Sequence, residues 1–230
     1  MNYDWIIFDA DETLFHFDNF SGLSHMMLKH KVTFSADDFA EYQSINKPLW
    51  VAYQDGKVTA KELQTRRFQR WADRLNIPAH QLNQQFLESM AEICKPLPGA
   101  QALMTHLAGQ SIKSAIITNG FTQLQKVRLE RTKFDQYFSH VIISEEIGIA
   151  KPNVAIFDHA LEKMGNPDRK KVLMVGDTLE SDILGGINAQ VDTCWLNHHG
   201  KVHPEHIVPT YQISSLDQLT EKLKWAASNR

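Results

Sequence analysis

Apolar residues along this chain fall into two regimes. Short continuous runs rich in β-branched and aromatic residues occur at Trp5–Phe8, Ala115–Ile117, Val141–Ile143, Val172–Val175, Cys194–Leu196 and, more weakly, Tyr211–Ile213. Segments with apolar residues at helical spacing separate most of them, at Ala100–Leu107, Thr122–Arg131, Val154–Met164, Ser181–Ala189 and Leu216–Trp225. A continuously apolar strand is buried on both faces, and such strands alternating with helices imply a parallel sheet covered on both sides. Gly165, just past the Ile156/Phe157/Ala160/Leu161/Met164 stripe, is a candidate helix C-cap, and Pro167 blocks continuation.

Between residues 16 and 96 the alternation stops and only helical patterns remain. Ser35 with Asp38 and Thr59 with Glu62 have capping-box spacing. Phe39, Tyr42, Ile45, Leu49 and Tyr53 recur at helical intervals, as do Leu82, Phe86, Met90 and Ile93, and Asp55-Gly56 marks a turn between two such helices. The expected fold is α/β: a Rossmann-like parallel sheet core of residues 1–15 and 97–230, with an all-helical segment of residues 16–96 inserted after strand 1. An insert leaving the sheet there emerges directly beyond Asp9 and Asp11.

Length and composition restrict the function classes. A chain of 230 residues can carry one core domain plus an insert. A net charge of -3 offers no general attraction for nucleic acid or anionic lipid. No apolar stretch approaches the roughly 20 residues needed to cross a bilayer, and the chain opens into strand 1 with acidic Asp4 rather than on a basic signal segment. Cys94 and Cys194 lack CxxC spacing and are too few for a disulfide framework. The expectation is a cytoplasmic protein with neither nucleic-acid nor membrane partners, as a monomer or small homo-oligomer.

The candidate chemistry sits at the ends of the apolar runs. Asp9 and Asp11 follow Ile6-Ile7-Phe8, Thr118-Asn119-Gly120 follows Ile116-Ile117, and Asp177, with Asp182 beyond, follows Val175-Gly176. Lys151-Pro152 lies between the last two. In an open α/β sheet, ligands bind in the crevice outside the carboxyl ends of the strands. Clustered carboxylates repel unless a cation intervenes, and hard oxygen ligands favour Mg²⁺, which binds through a few carboxylates plus substrate phosphate. With Lys151, the Thr118 hydroxyl and the backbone N–H groups near Asn119 and Gly120, these are parts for holding a phosphoryl group. Any one of these short signals alone would read as a turn or a solvated side chain. Their combination and order carry the argument.

The motifs Asp9-x-Asp11-x-Thr13, Thr118-Asn119, Lys151-Pro152 and Gly176-Asp177-x-x-x-x-Asp182 resemble those of the haloacid dehalogenase superfamily of aspartate-nucleophile phosphohydrolases. The resemblance covers essentially the whole chain, the helical insert included, which is similar to that superfamily's cap domain. Phe8–Phe15, Asn46–Trp50 and Ile117–Phe121 are similar to the bacterial pyrimidine 5′-nucleotidases. The resemblance implies Asp9 as nucleophile, Asp11 as general acid and base, and Lys151 as the charge that offsets nucleophile and phosphoryl. It implies Thr118, Asn119, Gly120 and Lys151 as phosphate-binding residues. Mg²⁺, with Mn²⁺ as a substitute, would be held by the Asp9 carboxylate, the Asp11 backbone carbonyl and Asp177, supported by Asp182. The implied substrate is a pyrimidine (deoxy)nucleoside 5′-monophosphate.

Alternatives stay open at this point. A haloacid dehalogenase needs no metal and has no use for an acid at Asp11. A phosphomutase or phosphatase acting on a sugar phosphate shares the acid pair and is excluded less firmly. A receiver-type phospho-acceptor module lacks the large insert and the lysine-then-acid-pair order. The tract from His198 to His206 could suggest a transition-metal site, but its Gly200 and Pro204 favour a polar loop. Of the aromatics that could stack on a base, Trp50 is expected in the core of the helical insert, while Phe15 and Phe17 are evenly balanced.

Overall fold

A computed structural model describes residues 3–228 of the chain, with side chains through residue 223. Six parallel strands form one sheet: β1 (Trp5–Phe8), β2 (Lys113–Thr118), β3 (Phe138–Ile143), β4 (Val172–Gly176), β5 (Asp192–Leu196) and β6 (Tyr211–Ile213). Each apolar run is a strand. Four of the six extend beyond it: β2, β3 and β5 at the amino end, to Lys113, Phe138 and Asp192, and β4 at the carboxyl end by Gly176. The order is β3-β2-β1-β4-β5-β6, so connections diverge to opposite sides of β1. That divergence opens a crevice beyond the carboxyl ends of the strands. The register sets Phe8 against Ile116 of β2 and Val175 of β4, and the loops after all three leave the same edge.

The helices are α1 (Asn19–Leu28), α2 (Ala36–Gln54), α3 (Ala60–Arg66), α4 (Gln69–Leu75), α5 (Ala79–Ile93), α6 (Ala100–Ala108), α7 (Thr122–Thr132), α8 (Ser144–Ile147), α9 (Val154–Lys163), α10 (Leu184–Asn188) and α11 (Leu216–Ser228). On one face of the sheet, Trp5, Ile7, Ala115, Ile117 and Met174 pack with Ile156, Phe157, Ala160 and Leu161 of α9. Elsewhere α6 packs on α11. Full burial of an Ile or Phe side chain stabilises by about 1.5–3 kcal/mol. Ile6, Ile7 and Phe8 are fully buried, so β1 is a rigid support for the acids that follow it. Gly165 adopts φ +85° just past Met164, the residue that caps α9, as that left-handed position requires.

By its contacts the chain divides into two compact units. One comprises Met1–His16, Lys95–Gly120 and Thr132–Arg230, and the other Phe17–Cys94 with Phe121–Arg131. Helix α7 occupies a place in the strand–helix alternation, yet its contacts belong with the helical unit. Gln123 donates to the Glu88 carboxylate (3.4 Å), and Arg131 donates to the Glu92 carbonyl (3.4 Å).

Within the helical unit, both capping boxes form at Ser35 and Thr59. Tyr42, Phe68 and Phe86 make an aromatic core, with ring centroids 5.5 Å apart for Tyr42–Phe68 and 5.6 Å for Phe68–Phe86. The buried Arg67 guanidinium lies over Phe68, Phe86 and Phe121 and donates to Asn83, an arrangement the periodicity gave no sign of. Trp50 is half-buried rather than in the core, packed on Phe121 (5.3 Å) and edge-on to Tyr53 (5.8 Å). Its position on α2 brings it beside the ring contributed by α7's leading loop, and a one-dimensional pattern cannot anticipate that neighbour. Phe15, in the sheet unit, is fully buried against Phe134 (5.1 Å) and so has no face for a base.

Candidate active site

The chain leaves β1 by continuing one ladder bond, from Asp9 N–H to the Val175 carbonyl (2.9 Å). It then closes a tight loop. The N–H groups of Leu14 and Phe15 both donate to the Ala10 carbonyl (3.0 Å each), and Glu12 N–H donates to the Phe15 carbonyl (2.7 Å). Closure requires Glu12 to take a left-handed φ of 55°, which costs a non-glycine residue about 1–2 kcal/mol. The fully buried Leu14 and Phe15 hold the far end of the loop. Asp11 is therefore carried on a short, closed loop whose two ends are fixed by the core.

Lys151 is brought to Asp9 by Asn119. The Asn119 side-chain amide both donates to the Lys151 carbonyl (3.0 Å) and accepts the Lys151 N–H (2.8 Å). The Asn119 side chain is thus committed to the lysine's main chain. Thr118, buried at the end of β2, accepts the Gly120 N–H through its hydroxyl (3.0 Å). So held, the Lys151 ammonium, only 1% exposed, donates to Asp9 Oδ1 and Asp182 Oδ1, each at 2.7 Å. Burial by itself would push this ammonium's pKa down. The charges of Asp182 and Asp9, with their hydrogen bonds, outweigh it and hold the pKa above the ordinary lysine value.

Beyond β4, Asp182 stands on a π-helical turn, Leu179–Ile183, that precedes α10. Its carboxylate accepts the Thr178 N–H (3.0 Å) and the Ser181 hydroxyl (3.1 Å). Thr178 Oγ1 donates to Asp177 (3.2 Å), and the Trp195 indole N–H donates to the Asp177 carbonyl (2.9 Å). Ligand oxygens of Asp9, Asp177 and Asp182 lie within 4.8 Å of one another, the metal-capable group found among the described residues. The Asp11 carboxylate is not part of it. Burial, then the Asp182 and Asp9 charges, push the Asp177 carboxyl up to about 8. Asp182 is pushed up to about 6, first by burial and also by Asp9, against the pull of Lys151. Two buried acids and the half-buried Asp177 facing one ammonium leave excess negative charge. This hard-oxygen donor set fits Mg²⁺.

Gly176 is glycine because Asp182 lies against it: a Cβ there would collide with the Asp182 carboxylate and Cβ. Gly176→Ala should displace Asp182, and with it Lys151, lowering turnover by about 100-fold and stability by about 1–3 kcal/mol. Kinetics and thermal melts of the variant check this. Unchanged turnover would mean that Asp182 is not needed where it stands.

Sequence reasoning missed the Trp195 anchor, the committed Asn119 amide and the Ser181 bond to Asp182. None follows from spacing, since each joins segments far apart or turns on a local kink. The His198–His206 tract forms no metal-ligand cluster among the described residues. Asn197, just ahead of the tract, closes a loop with it, donating to the Lys201 carbonyl (2.8 Å) and accepting the Lys201 N–H (2.9 Å).

The family model for haloacid dehalogenase-like hydrolases matches residues 3–190. The chain belongs to the haloacid dehalogenase-like hydrolases. It is 59% identical to the pyrimidine 5′-nucleotidase YjjG of Escherichia coli, over 97% of this chain and 99% of that protein. It is 30% identical to the pyrimidine 5′-nucleotidase PynA of Streptococcus pneumoniae, over 97% and 96%. Among solved structures, this hydrolase superposes on YfnB of Bacillus subtilis, determined with bound magnesium, with a TM-score of 0.83, 29% identity, and coverage of 97% and 99%. As in that family generally, a parallel sheet flanked by helices presents the acids.

Proposed function

We propose that this hydrolase is a Mg²⁺-dependent phosphatase of pyrimidine (deoxy)nucleoside 5′-monophosphates, working through an aspartyl phosphate. The observation that carries the substrate is the 59% identity to YjjG across nearly the whole of both chains. The parts around Asp9 support the chemistry. Asp9, with Oδ1 held by Lys151, attacks phosphorus, and the bond to the nucleoside 5′-oxygen breaks as Asp11 gives that oxygen a proton. Asp11 then takes a proton from the water that attacks the same phosphorus, the acyl phosphate bond breaks, and Asp9 is regenerated. Lys151 offsets charge on nucleophile and phosphoryl. The Asn119 N–H and the Thr118 hydroxyl, whose oxygen accepts the Gly120 N–H (3.0 Å), are the donors assigned to the transferring oxygens.

Mg²⁺ would be held by Asp9, the Asp11 carbonyl and Asp177, with Asp182 in support. When bound it supplies the positive charge that lets an anionic nucleophile approach a phosphate dianion. Mn²⁺ should substitute. The helical segment of residues 16–96 is assigned the choice of leaving group, as the cap. No helix among the described residues is long and apolar enough to cross a membrane, and both cysteines are free, which suits the proposed cytoplasmic setting.

Pyrimidine deoxynucleotides such as dUMP and dTMP should lead in kcat/KM over dAMP, a sugar phosphate and a small acyl phosphate, measured on one preparation. Glyceraldehyde 3-phosphate phosphatase of Pyrococcus furiosus is 34% identical over 56% of this chain, which makes the sugar phosphate the sharpest comparison. If it exceeds dUMP tenfold, about 1.4 kcal/mol of transition-state binding, the nucleotide reading fails while the phosphatase reading stands.

A further inference from the structure

The end of β5 and the loop that follows it touch both halves of the acid site, and neither contact is a catalytic one. Trp195, at the end of β5, donates its indole N–H to the Asp177 carbonyl (2.9 Å). Three residues on, His198 Nε2 lies 3.0 Å from the Glu12 carbonyl oxygen. A carbonyl only accepts, so the ring nitrogen there carries the proton and donates. Between these anchors the loop is stiffened by the paired bonds of the buried Asn197 to Lys201, and Asn197 N–H donates to the Ile213 carbonyl (2.8 Å). A small cavity of about 80 Å³ separates the two contacts, lined in part by Glu12, Asp177, Trp195 and His198.

Glu12 is the residue after Asp11 and the left-handed tip of the loop that carries it. The loop's own hydrogen bonds fix its two ends at Ala10 and Phe15. The Glu12 side chain pairs with His16 Nδ1 at 3.1 Å. A tip in a strained conformation is held by whatever bonds its peptide groups make to the rest of the fold. His198 supplies such a bond from a different strand.

We propose that His198 is a positioning residue: it ties the Asp11 loop to the same β5 segment that holds Asp177, and so fixes the acid–base carboxyl relative to the nucleophile and metal ligands. The inference rests on the reading of Asp11 as the proton donor and acceptor. His198 touches no reacting atom, and its bond does not depend on the ring being charged.

The test uses two monoesters that differ in their need for a proton. One is p-nitrophenyl phosphate, whose leaving group departs as a stable anion. The other is dUMP, or whichever alkyl monophosphate the unmodified enzyme turns over fastest. His198→Ala should lower kcat on the alkyl ester by about tenfold or more, as expected for a displaced catalytic group, with KM little changed. On p-nitrophenyl phosphate the loss should be under about threefold by the same argument. His198→Gln, whose amide nitrogen can stand where Nε2 stands, should recover most of the lost kcat. The His198 side chain is exposed, so thermal melts of both variants should match the parent.

Asp11→Asn is run alongside and should show the same leaving-group dependence, more strongly. Equal losses on both esters for His198→Ala, or no rescue by Gln, would overturn the positioning role while leaving Asp11 in place. A flat Asp11→Asn profile would overturn the reading of Asp11 and the positioning role with it.

Discussion

Asp9→Asn should abolish turnover while leaving the protein folded. An amide has no anionic oxygen with which to attack phosphorus, and loss of a nucleophile removes the covalent route altogether, so a fall of about 10⁴-fold or more is expected. The fold should survive because the asparagine Oδ1 still accepts from Lys151, which keeps its second carboxylate partner, Asp182, at 2.7 Å. Neutralising Asp9 also removes one of the charges that push up Asp177. Phosphate release and a thermal melt, measured together on a sequence-verified variant, check both halves. Residual activity of more than a few per cent would remove Asp9 from the nucleophile role.

Metal removal should be as severe, and it should leave a signature in stability as well as in rate. EDTA should stop turnover and Mg²⁺ restore it, with Mn²⁺ a substitute and Ca²⁺ a poor one. In the metal-free protein, Asp177 and Asp182 are pushed up to about 8 and about 6 from an ordinary 3.8. Between those limits the folded chain holds protons that the unfolded chain has released. The stability of the metal-free protein should therefore fall as pH rises from about 4 to about 8. Lys151 works in another window: its raised pKa contributes stability below the ordinary lysine value that is lost only as pH rises above it. Mg²⁺ would bind the ionised carboxylates of the folded state alone, so it should flatten the slope. At about 100 times its dissociation constant it should raise Tm by about 5–10 °C. Melts at pH 5, 6.5 and 8 with and without Mg²⁺ test this. A Tm insensitive to Mg²⁺ at pH 8, with full activity after exhaustive chelation, would sink the metal assignment.

The sequence by itself determined the sheet and the residues to look at. Continuous apolar runs such as Ile6-Ile7-Phe8 and Val172–Val175 can be stable only when covered on both faces, so their strand character and parallel arrangement follow from burial alone. Capping boxes at Ser35 and Thr59 form as spelled because they depend on residues three apart. Asp9 and Asp177 were legible because strand ends in such a sheet face one crevice, and Lys151 and Asp182 through their order and spacing relative to them.

Tertiary structure alone decided how those residues are held. That the Asn119 amide clamps the Lys151 main chain, instead of offering itself to a ligand, depends on two loops 32 residues apart meeting. The half-buried setting of Trp50 and the aromatic enclosure of Arg67 depend on Phe121, which is far from both in sequence but packs with them. The His198 bond to Glu12 spans 186 residues. Local patterns report what a residue must do with its neighbours along the chain. A hydrogen bond between loops reports which ends the sheet order has brought together, and only the folded β3-β2-β1-β4-β5-β6 arrangement sets β1, β4 and β5 side by side.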